Sequence, residues 1–147
     1  MIGSNGAGKS TLLNAISGDQ VVDHGRIEID GEDVTRQAVW QRSARVARVF
    51  QDPMAGTCED LTIEENMALA LRRGQGRGLR KAVQASMRSG FREQLAKLEL
   101  GLENRLQDRI GLLSGGQRQA VSLLMAALQP SRILLLDEHT AALDPRT

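Results

Sequence analysis

The first eleven residues place the strongest constraint on the fold of this 147-residue chain. The run G-S-N-G-A-G-K-S-T fits the pattern G-x-x-x-x-G-K-[ST] of a phosphate-binding P-loop. Glycine tolerates positive φ and lets backbone N–H groups approach an anion closely. A helix follows, and its first amides would face the same anion. The run therefore predicts nucleotide binding by Gly3, Ser4, Asn5, Gly6, Ala7, Gly8, Lys9, Ser10 and Thr11.

Two side chains of this run carry specific chemistry. Lys9 would place a positive charge beside the β- and γ-phosphates, and the Ser10 hydroxyl would ligate Mg²⁺. The plainer interpretation is a glycine-rich turn before an ordinary helix. Four constrained positions of the pattern match, which favours the phosphate site.

A second stretch lies near the other end of the chain. The continuous apolar run Ile133 to Leu136 predicts a strand that is covered on both faces, and it is followed by Asp137 and Glu138. Ligands of α/β folds bind at the carboxyl ends of such strands. Asp137 is therefore predicted to hold the Mg²⁺ that Ser10 contacts, and Glu138 to act as the general base for an attacking water.

A third stretch, L-S-G-G-Q, covers Leu113 to Gln117 and precedes a predicted helix that extends to Leu128. Its glycines before a helix indicate another anion site, by the same reasoning as for the P-loop. A further buried strand is predicted from Val46 to Phe50, and it ends at Gln51.

Composition limits the classes of partner. The formal net charge of +1 gives no basic footprint for nucleic acid, so no nucleic-acid partner is expected. Cys58 is the single cysteine, which predicts a reducing compartment. The sequence contains no apolar run long enough for a membrane helix, so any membrane role is expected to proceed from the cytoplasmic side through a partner.

The remaining pattern predicts a strand at 25–31 and helices at 35–45 and 79–100. Thr62 and Glu65 fit a capping box at the start of a further helix, and Gly18 is expected to end the P-loop helix. The basic, glycine-rich segment 72–81 is predicted to be a solvated loop, with phosphate or lipid contact as the alternative.

The order of these motifs resembles that of the ATP-binding-cassette (ABC) ATPases, the motor subunits of ABC transporters. Gly3 to Thr11 match the family's P-loop and Gln51 its Q-loop. Leu113 to Gln117 match its signature, Ile133 to Asp137 its second nucleotide motif with Glu138 as the catalytic acid, and Ala141 to Asp144 its D-loop. The resemblance implies an α/β fold with a P-loop NTPase core and a mainly parallel sheet. That core would comprise 1–51 and 113–147, and an inserted helical subdomain, 52–112, would carry the partner-facing surface.

The resemblance also implies an activity. The chain would bind ATP and Mg²⁺ and hydrolyse ATP, with Glu138, Lys9 and Gln51 as catalytic residues and Ser10, Gln51 and Asp137 around the metal. Two subunits would meet head to tail, so that the signature residues act on the other subunit's ATP, with Asp144 in the D-loop. The signature residues are Ser114, Gly115, Gly116 and Gln117.

The implied partners are a transmembrane permease and a solute-binding protein, with the subunit peripheral at the cytoplasmic face of the plasma (inner) membrane. The stretches Phe50 to Thr57 and Asp137 to Pro145 are similar to a bacterial importer branch for small organic solutes, amino acids among them. Two alternatives stay open: a non-transport ABC ATPase of translation or genome maintenance, and a non-hydrolysing nucleotide-binding module.

The chain also departs from the family pattern. An aromatic residue that stacks on adenine and a switch histidine are both expected outside this sequence, so we expect a core truncated at both ends. Without the strand that precedes the P-loop, residues 1–147 alone are predicted to be marginally stable and weak in ATP hydrolysis. His139 is expected to be a turn residue rather than that histidine.

Overall fold

The computed structural model describes residues 8–52, 54–76, 78 and 81–136. Five helices lie within these ranges: α1 (Lys9–Ser17), α2 (Val39–Arg42), α3 (Ile63–Leu71), α4 (Met87–Ala96) and α5 (Gly115–Ala127). The strands of the same ranges are β1 (Glu28–Ile29), β2 (Glu32–Asp33), β3 (Val46–Val49) and β4 (Ile133–Leu136). Two short 3₁₀ turns, Leu102–Asn104 and Ile110–Leu112, precede α5.

The strands form two pairs. β1 and β2 make an antiparallel hairpin whose turn residues, Asp30 and Gly31, both have positive φ. β3 and β4 pair in parallel, from Val46 opposite Ile133 to Val49 opposite Leu136. A parallel pair cannot be joined by a tight turn, and here the connection contains the helices α3 to α5. This arrangement confirms the predicted α/β fold.

The two faces of the β3–β4 pair carry different helices. Val46 and Leu135 face a cluster that Leu13 and Ile16 of α1 complete. The alternate residues of β3, Ala47 and Val49, pack against Leu123 and Ala126 of α5. Because successive side chains of a strand point to opposite faces, α1 and α5 lie on opposite sides of β3.

A larger cluster, here called the helical cluster, joins the remaining helices. It consists of buried residues from α3, α4, α5, the two 3₁₀ turns and the chain that follows each turn: Ile63, Met67, Ala68, Phe91, Leu95, Leu102, Leu106, Ile110, Leu113, Val121 and Met125. α5 therefore contributes to this cluster through Val121 and Met125 and to the packing of β3 through Ala126.

Arg73 attaches the end of α3 to the connection between α2 and β3 and to α5. Arg73 Nε donates to the carbonyl of Ser43 (2.9 Å), and its Nη1 donates to the carbonyl of Ala126 (3.4 Å). Gly74 follows with φ 71°, and a Cβ added there would lie 2.7 Å from Cα of Ala44. Only glycine fits at this contact.

Three predictions about elements are wrong in extent. The predicted helix 35–45 is reduced to α2, because Thr35 Oγ1 accepts from the N–H of Ile27 (2.8 Å) and the N–H of Thr35 donates to Asp33. These bonds hold the chain beside β1. The predicted helix 79–100 begins only at Met87, because the positions just before it are largely exposed and bury too little apolar surface. The strand predicted at 25–31 is limited to β1.

A further prediction, that β4 is covered on both faces, is also wrong for the described residues. Leu135 is buried, but Leu134 and Leu136 are 48% and 50% exposed. The physical reason is the position of α5, which packs on β3 and not squarely over β4.

Candidate functional site

The N-terminal end of α1 has the geometry expected at the end of a P-loop. Gly8 caps the helix with φ 77° and ψ 13°, and its carbonyl accepts from the N–H of Leu12 (3.0 Å). The first turn contains no acidic residue, and Ser10 is exposed. The first N–H groups of an α-helix have no acceptor within the helix itself, and the positive end of the dipole lies at this end, so an anion is favoured there. The predicted residues Gly3 to Ala7 lie outside the described residues.

The opposite end of α1 is held by a buried cation that sequence reasoning missed. Arg42 is 2% exposed, and its Nη1 donates to the carbonyls of Ala15 (2.6 Å) and Ile16 (3.1 Å). Its other nitrogens donate to the carbonyls of Thr35 and Gln37. Burial lowers the pKa of the Arg42 guanidinium. A cation at a helix C-terminus also complements the dipole, so Arg42 anchors α1 at the end opposite to Gly8.

Gln51 is exposed and follows the end of β3. The strand that leads to it is tied to α1 by Arg48, whose Nη1 donates to Asn14 Oδ1 (2.7 Å) and Asp19 Oδ2 (2.9 Å). The guanidinium also lies 4.8 Å from the ring centroid of Phe50, within the range of a cation–π contact. The P-loop helix and the strand before Gln51 are thus one packed unit.

The register of β3 and β4 brings the ends of these strands to one edge, with Val49 opposite Leu136. Gln51 lies two residues after Val49, the last residue of β3. Asp137, Glu138 and Asp144 lie outside the described residues. The exposed oxygen-bearing side chains of Ser10 and Gln51 are of the hard type that Mg²⁺ prefers, so the described part of the predicted metal set fits that ion.

Ser114 is the N-cap of α5 and forms a capping box with Gln117. The Ser114 hydroxyl accepts from the N–H of Gln117 (3.3 Å), and Gln117 Oε1 accepts from the N–H of Ser114 (3.2 Å). This first turn also contains no acidic residue. The N–H groups of Gly115 and Gly116 occupy helix positions that have no acceptor within the helix itself. They are therefore oriented outward as donors.

Nothing in the described residues explains why positions 115 and 116 are glycine. Both have helical backbone conformations and neither has positive φ. A Cβ added at Gly115 or Gly116 would meet no atom within 4 Å. Glycine is nevertheless a poor helix former. The packing of the described residues therefore gives no reason for glycine at these two positions.

The structure does not bring the two open helix ends into one site. α1 begins at Lys9 and packs on one face of β3, whereas α5 begins at Gly115 and packs on the other. Only the last turns of α5, at Leu123 and Ala126, reach β3; Val121 packs in the helical cluster. The signature turn therefore extends away from the P-loop helix of its own chain.

Comparison with known proteins decides the family. The family model described as ABC transporter matches residues 1–141. The chain belongs to the ABC transporter family. Its relatives within that family include a tyrosine transport ATP-binding protein of Clostridioides difficile (strain R20291), which is 46% identical over all of this chain and 58% of its own length. The thiamine import ATP-binding protein ThiQ of Histophilus somni (strain 129Pt) is 39% identical over 99% of this chain and 62% of its own length.

A solved structure of the ABC family has the same fold. It is the dimeric post-hydrolysis state of the ATP-binding cassette MJ0796 bound to ADP and Pi, with a TM-score of 0.74 and 30% sequence identity. The match covers 97% of this chain and 60% of that one. The chain thus spans about 60% of the length of the ABC proteins named here. The predicted family and the P-loop NTPase fold are confirmed.

Proposed function

We propose that this chain binds ATP with Mg²⁺ and hydrolyses it as part of the ATP-binding subunit of an ABC importer. The N-terminal end of α1 supports this proposal, because Gly8 has the left-handed backbone of a phosphate loop and the first turn of α1 contains no acidic residue. The solved ABC relative that shares this fold is bound to ADP and Pi.

Each predicted residue has a role in that reaction. Residues Gly3 to Thr11 wrap the phosphates, and Lys9 neutralises charge on the β- and γ-phosphates. Ser10, Gln51 and Asp137 hold the Mg²⁺, which supplies positive charge beside the phosphates when bound. Glu138 orients a water and accepts its proton, so that attack on the γ-phosphorus occurs in line with the leaving oxygen.

The observation that carries the proposal further is the placement of α1 and α5 on opposite faces of β3. In one chain, the N-terminal end of α1, which binds phosphate, and the N-terminal end of α5, which carries the signature, then belong to two separate sites. A second subunit, arranged head to tail, would bring each signature to the ATP held by the other, and the close approach accounts for Gly115 and Gly116. Asp144 would lie near the same interface, and the solved relative is a dimer.

The relatives point to an importer. Their printed names describe tyrosine transport and thiamine import, and we infer a bacterial importer of a small organic solute, with an amino acid as the first candidate. Residues 52–112 would then face a transmembrane permease, and a solute-binding protein would deliver the cargo; nucleic acid is not a partner. The described residues contain no helix that could cross a bilayer. We propose a peripheral position at the cytoplasmic face of the inner membrane.

Two variants of the full-length subunit test the activity. Lys9→Ala should weaken binding of a fluorescent ATP analogue by about tenfold or more, because a charge-assisted phosphate contact is lost. Glu138→Gln should keep that affinity but lose turnover of ATP, since the base is removed and the phosphate contacts remain. Unchanged affinity in Lys9→Ala would refute the nucleotide site. Equal turnover in Glu138→Gln would refute the catalytic assignment.

Co-purification tests the importer. The tagged subunit, extracted from membranes, should carry a permease with it. Recovery with ribosomes and without a permease would favour a translation ATPase instead.

A further inference from the structure

Arg118, in the first turn of α5, connects the signature to a distant segment. Its Nη2 donates to the carbonyl of Gly111 (2.9 Å) and lies 3.5 Å from the carbonyl of Leu113. Both carbonyls belong to the chain that leads into Ser114. The side chain is only 13% exposed. Arg118 therefore fixes the approach of the chain to the signature turn.

The position of this cation is unfavourable on electrostatic grounds alone. The N-terminal end of a helix carries the positive end of its dipole, so a cation in the first turn raises the energy of the helix. Removal of a guanidinium from water adds a further cost. The carbonyls of Gly111 and Leu113 and the carboxylate of Glu59 offset these effects. A residue that only covered the helix surface would not need a charge here.

The other end of the same guanidinium reaches the segment that follows Gln51. Arg118 Nη1 contacts Sδ of Met54 and lies 3.7 Å from Oε1 of Glu59. Glu59 is joined to the signature side by its backbone as well, because its carbonyl accepts from the N–H of Gly111 (3.2 Å). A Cβ at Gly111 would lie 3.1 Å from that carbonyl oxygen, so the two strands of chain are in close contact.

This contact is the end of a longer backbone pairing. The N–H of Ile110 donates to the carbonyl of Leu61 (3.0 Å), and the N–H of Ile63 donates to the carbonyl of Asp108 (3.0 Å). Thr62 and Arg109 form an antiparallel bridge between them. The chain after Gln51 and the chain before Ser114 therefore run side by side. Arg118 links the two segments at the end of this pairing that is nearest the signature.

We propose that Arg118 is a positioning residue that fixes the signature turn relative to the segment after Gln51. The inference rests on the proposed function, because it assigns the consequence to the ATP held by the other subunit. We assign Arg118 no contact with that ATP or with the reacting water. It holds the signature turn where the partner's phosphate can meet the N–H groups of Gly115 and Gly116, and it transmits displacements of the Met54–Glu59 segment to that turn.

The test compares Arg118→Met with Arg109→Met in the full-length subunit. Arg109 is a matched control, since its side chain is 66% exposed and lies 4.0 Å from Asp60. Arg118→Met should lower kcat by about tenfold to a hundredfold, the cost of a small displacement of a positioned group. It should also weaken the ATP-induced dimer in a Glu138→Gln background. Affinity of the isolated subunit for a fluorescent ATP analogue should stay unchanged, because that site is the P-loop.

Arg118→Lys is a second variant that keeps the charge and the apolar stem. One ammonium cannot bridge the Gly111 carbonyl and Glu59 together, so its kcat should lie between those of wild type and Arg118→Met. Wild-type kcat and dimer affinity in Arg118→Met would overturn the inference. So would a parallel loss of nucleotide affinity, which would indicate general damage to the fold. Failure of the proposed function looks different: the wild-type protein itself would then bind or hydrolyse no ATP.

Discussion

Replacement of Gly8 or of Gly115 by alanine should have different effects on the stability of the fold. Gly8 has φ 77°, so Gly8→Ala should lose about 1–2 kcal/mol through backbone strain alone, with no clash. Gly115 is helical and unobstructed, so Gly115→Ala should leave stability unchanged or raise it by about 0.5–1 kcal/mol. ATP hydrolysis by Gly115→Ala should nevertheless fall, because the methyl group would meet the partner's nucleotide. Urea unfolding and steady-state hydrolysis measure the two effects.

The contrast between these variants is the control. A Gly115→Ala protein that is destabilised would show that the glycine serves the fold of its own chain. A stable variant with full hydrolysis would remove the reason for placing a partner at the signature.

The buried side chain of Arg42 leads to a prediction about the stability of the fold. Arg42→Met should destabilise the folded state by about 2–4 kcal/mol, because four carbonyls, one buried and three partly buried, would lose a charged donor. Arg36→Met is the matched control, since Arg36 is exposed, and it should change stability by less than about 0.5 kcal/mol. Chemical denaturation of both variants decides; equal stabilities would show that Arg42 does not anchor α1.

The roles of residues that belong to a sequence motif could be predicted from sequence. The roles of the arginines that position those motifs could not. Gly8 and Ser114 stand in patterns whose meaning is local. Arg42, by contrast, donates to carbonyls 26 and 27 residues away, and Arg118 reaches Met54 across 64 residues. Backbone carbonyls exist at every residue, so no side-chain type in the sequence marks them as the partners of a particular arginine.

Helix α3 shows how a local signal determines an element. The N–H of Thr62 donates to Glu65 Oε2 (2.8 Å), and the N–H of Glu65 donates to the Thr62 hydroxyl (3.2 Å), which confirms the predicted capping box. Gly18, likewise, ends α1 with φ 89°. The predicted extents of α2 and α4 failed, because periodicity in sequence does not show which apolar positions find a surface to pack on.

The same capping box predicts a dependence on pH. The backbone N–H and the hydroxyl of Thr62 lower the pKa of Glu65 below its ordinary value of 4.5. The stabilisation is therefore fully present above that value and is lost as the pH falls through the lower pKa of the folded protein. Glu65→Gln should be less stable than wild type at about pH 7, and the difference should shrink at about pH 3.

Glu93→Gln is the control for that measurement. Glu93 is exposed, and its ion pair with the exposed Lys97, at 3.9 Å, is long and open to solvent. Its stability should follow wild type at both pH values. If the stability difference between wild type and Glu65→Gln grew on acidification, the capping box would not be the source of the pH dependence.

At the scale of the whole molecule, the opposite placement of α1 and α5 predicts complementation between defective subunits. Lys9→Ala damages the P-loop and Gly115→Ala the signature. In a mixed dimer one ATP would meet an intact P-loop from one chain and an intact signature from the other. If subunits exchange at random, an equal mixture should regain about a quarter of the wild-type sites.

Hydrolysis by the mixture, compared with each variant alone, measures this effect. Activity no greater than the mean of the two separate variants would contradict head-to-tail pairing of identical chains. Wild-type subunit mixed with Lys9→Ala gives the reference for subunit exchange.

The tight contact between Gly74 and Ala44 has a mechanical consequence. Arg73 and Gly74 hold the end of α3 to the chain before β3, and there is no space there for even one more carbon atom. Such a contact permits rotation about it but resists sliding across it. We therefore expect a rotation of α3 relative to β3 to displace Ala44 least and residues farther along α3 more.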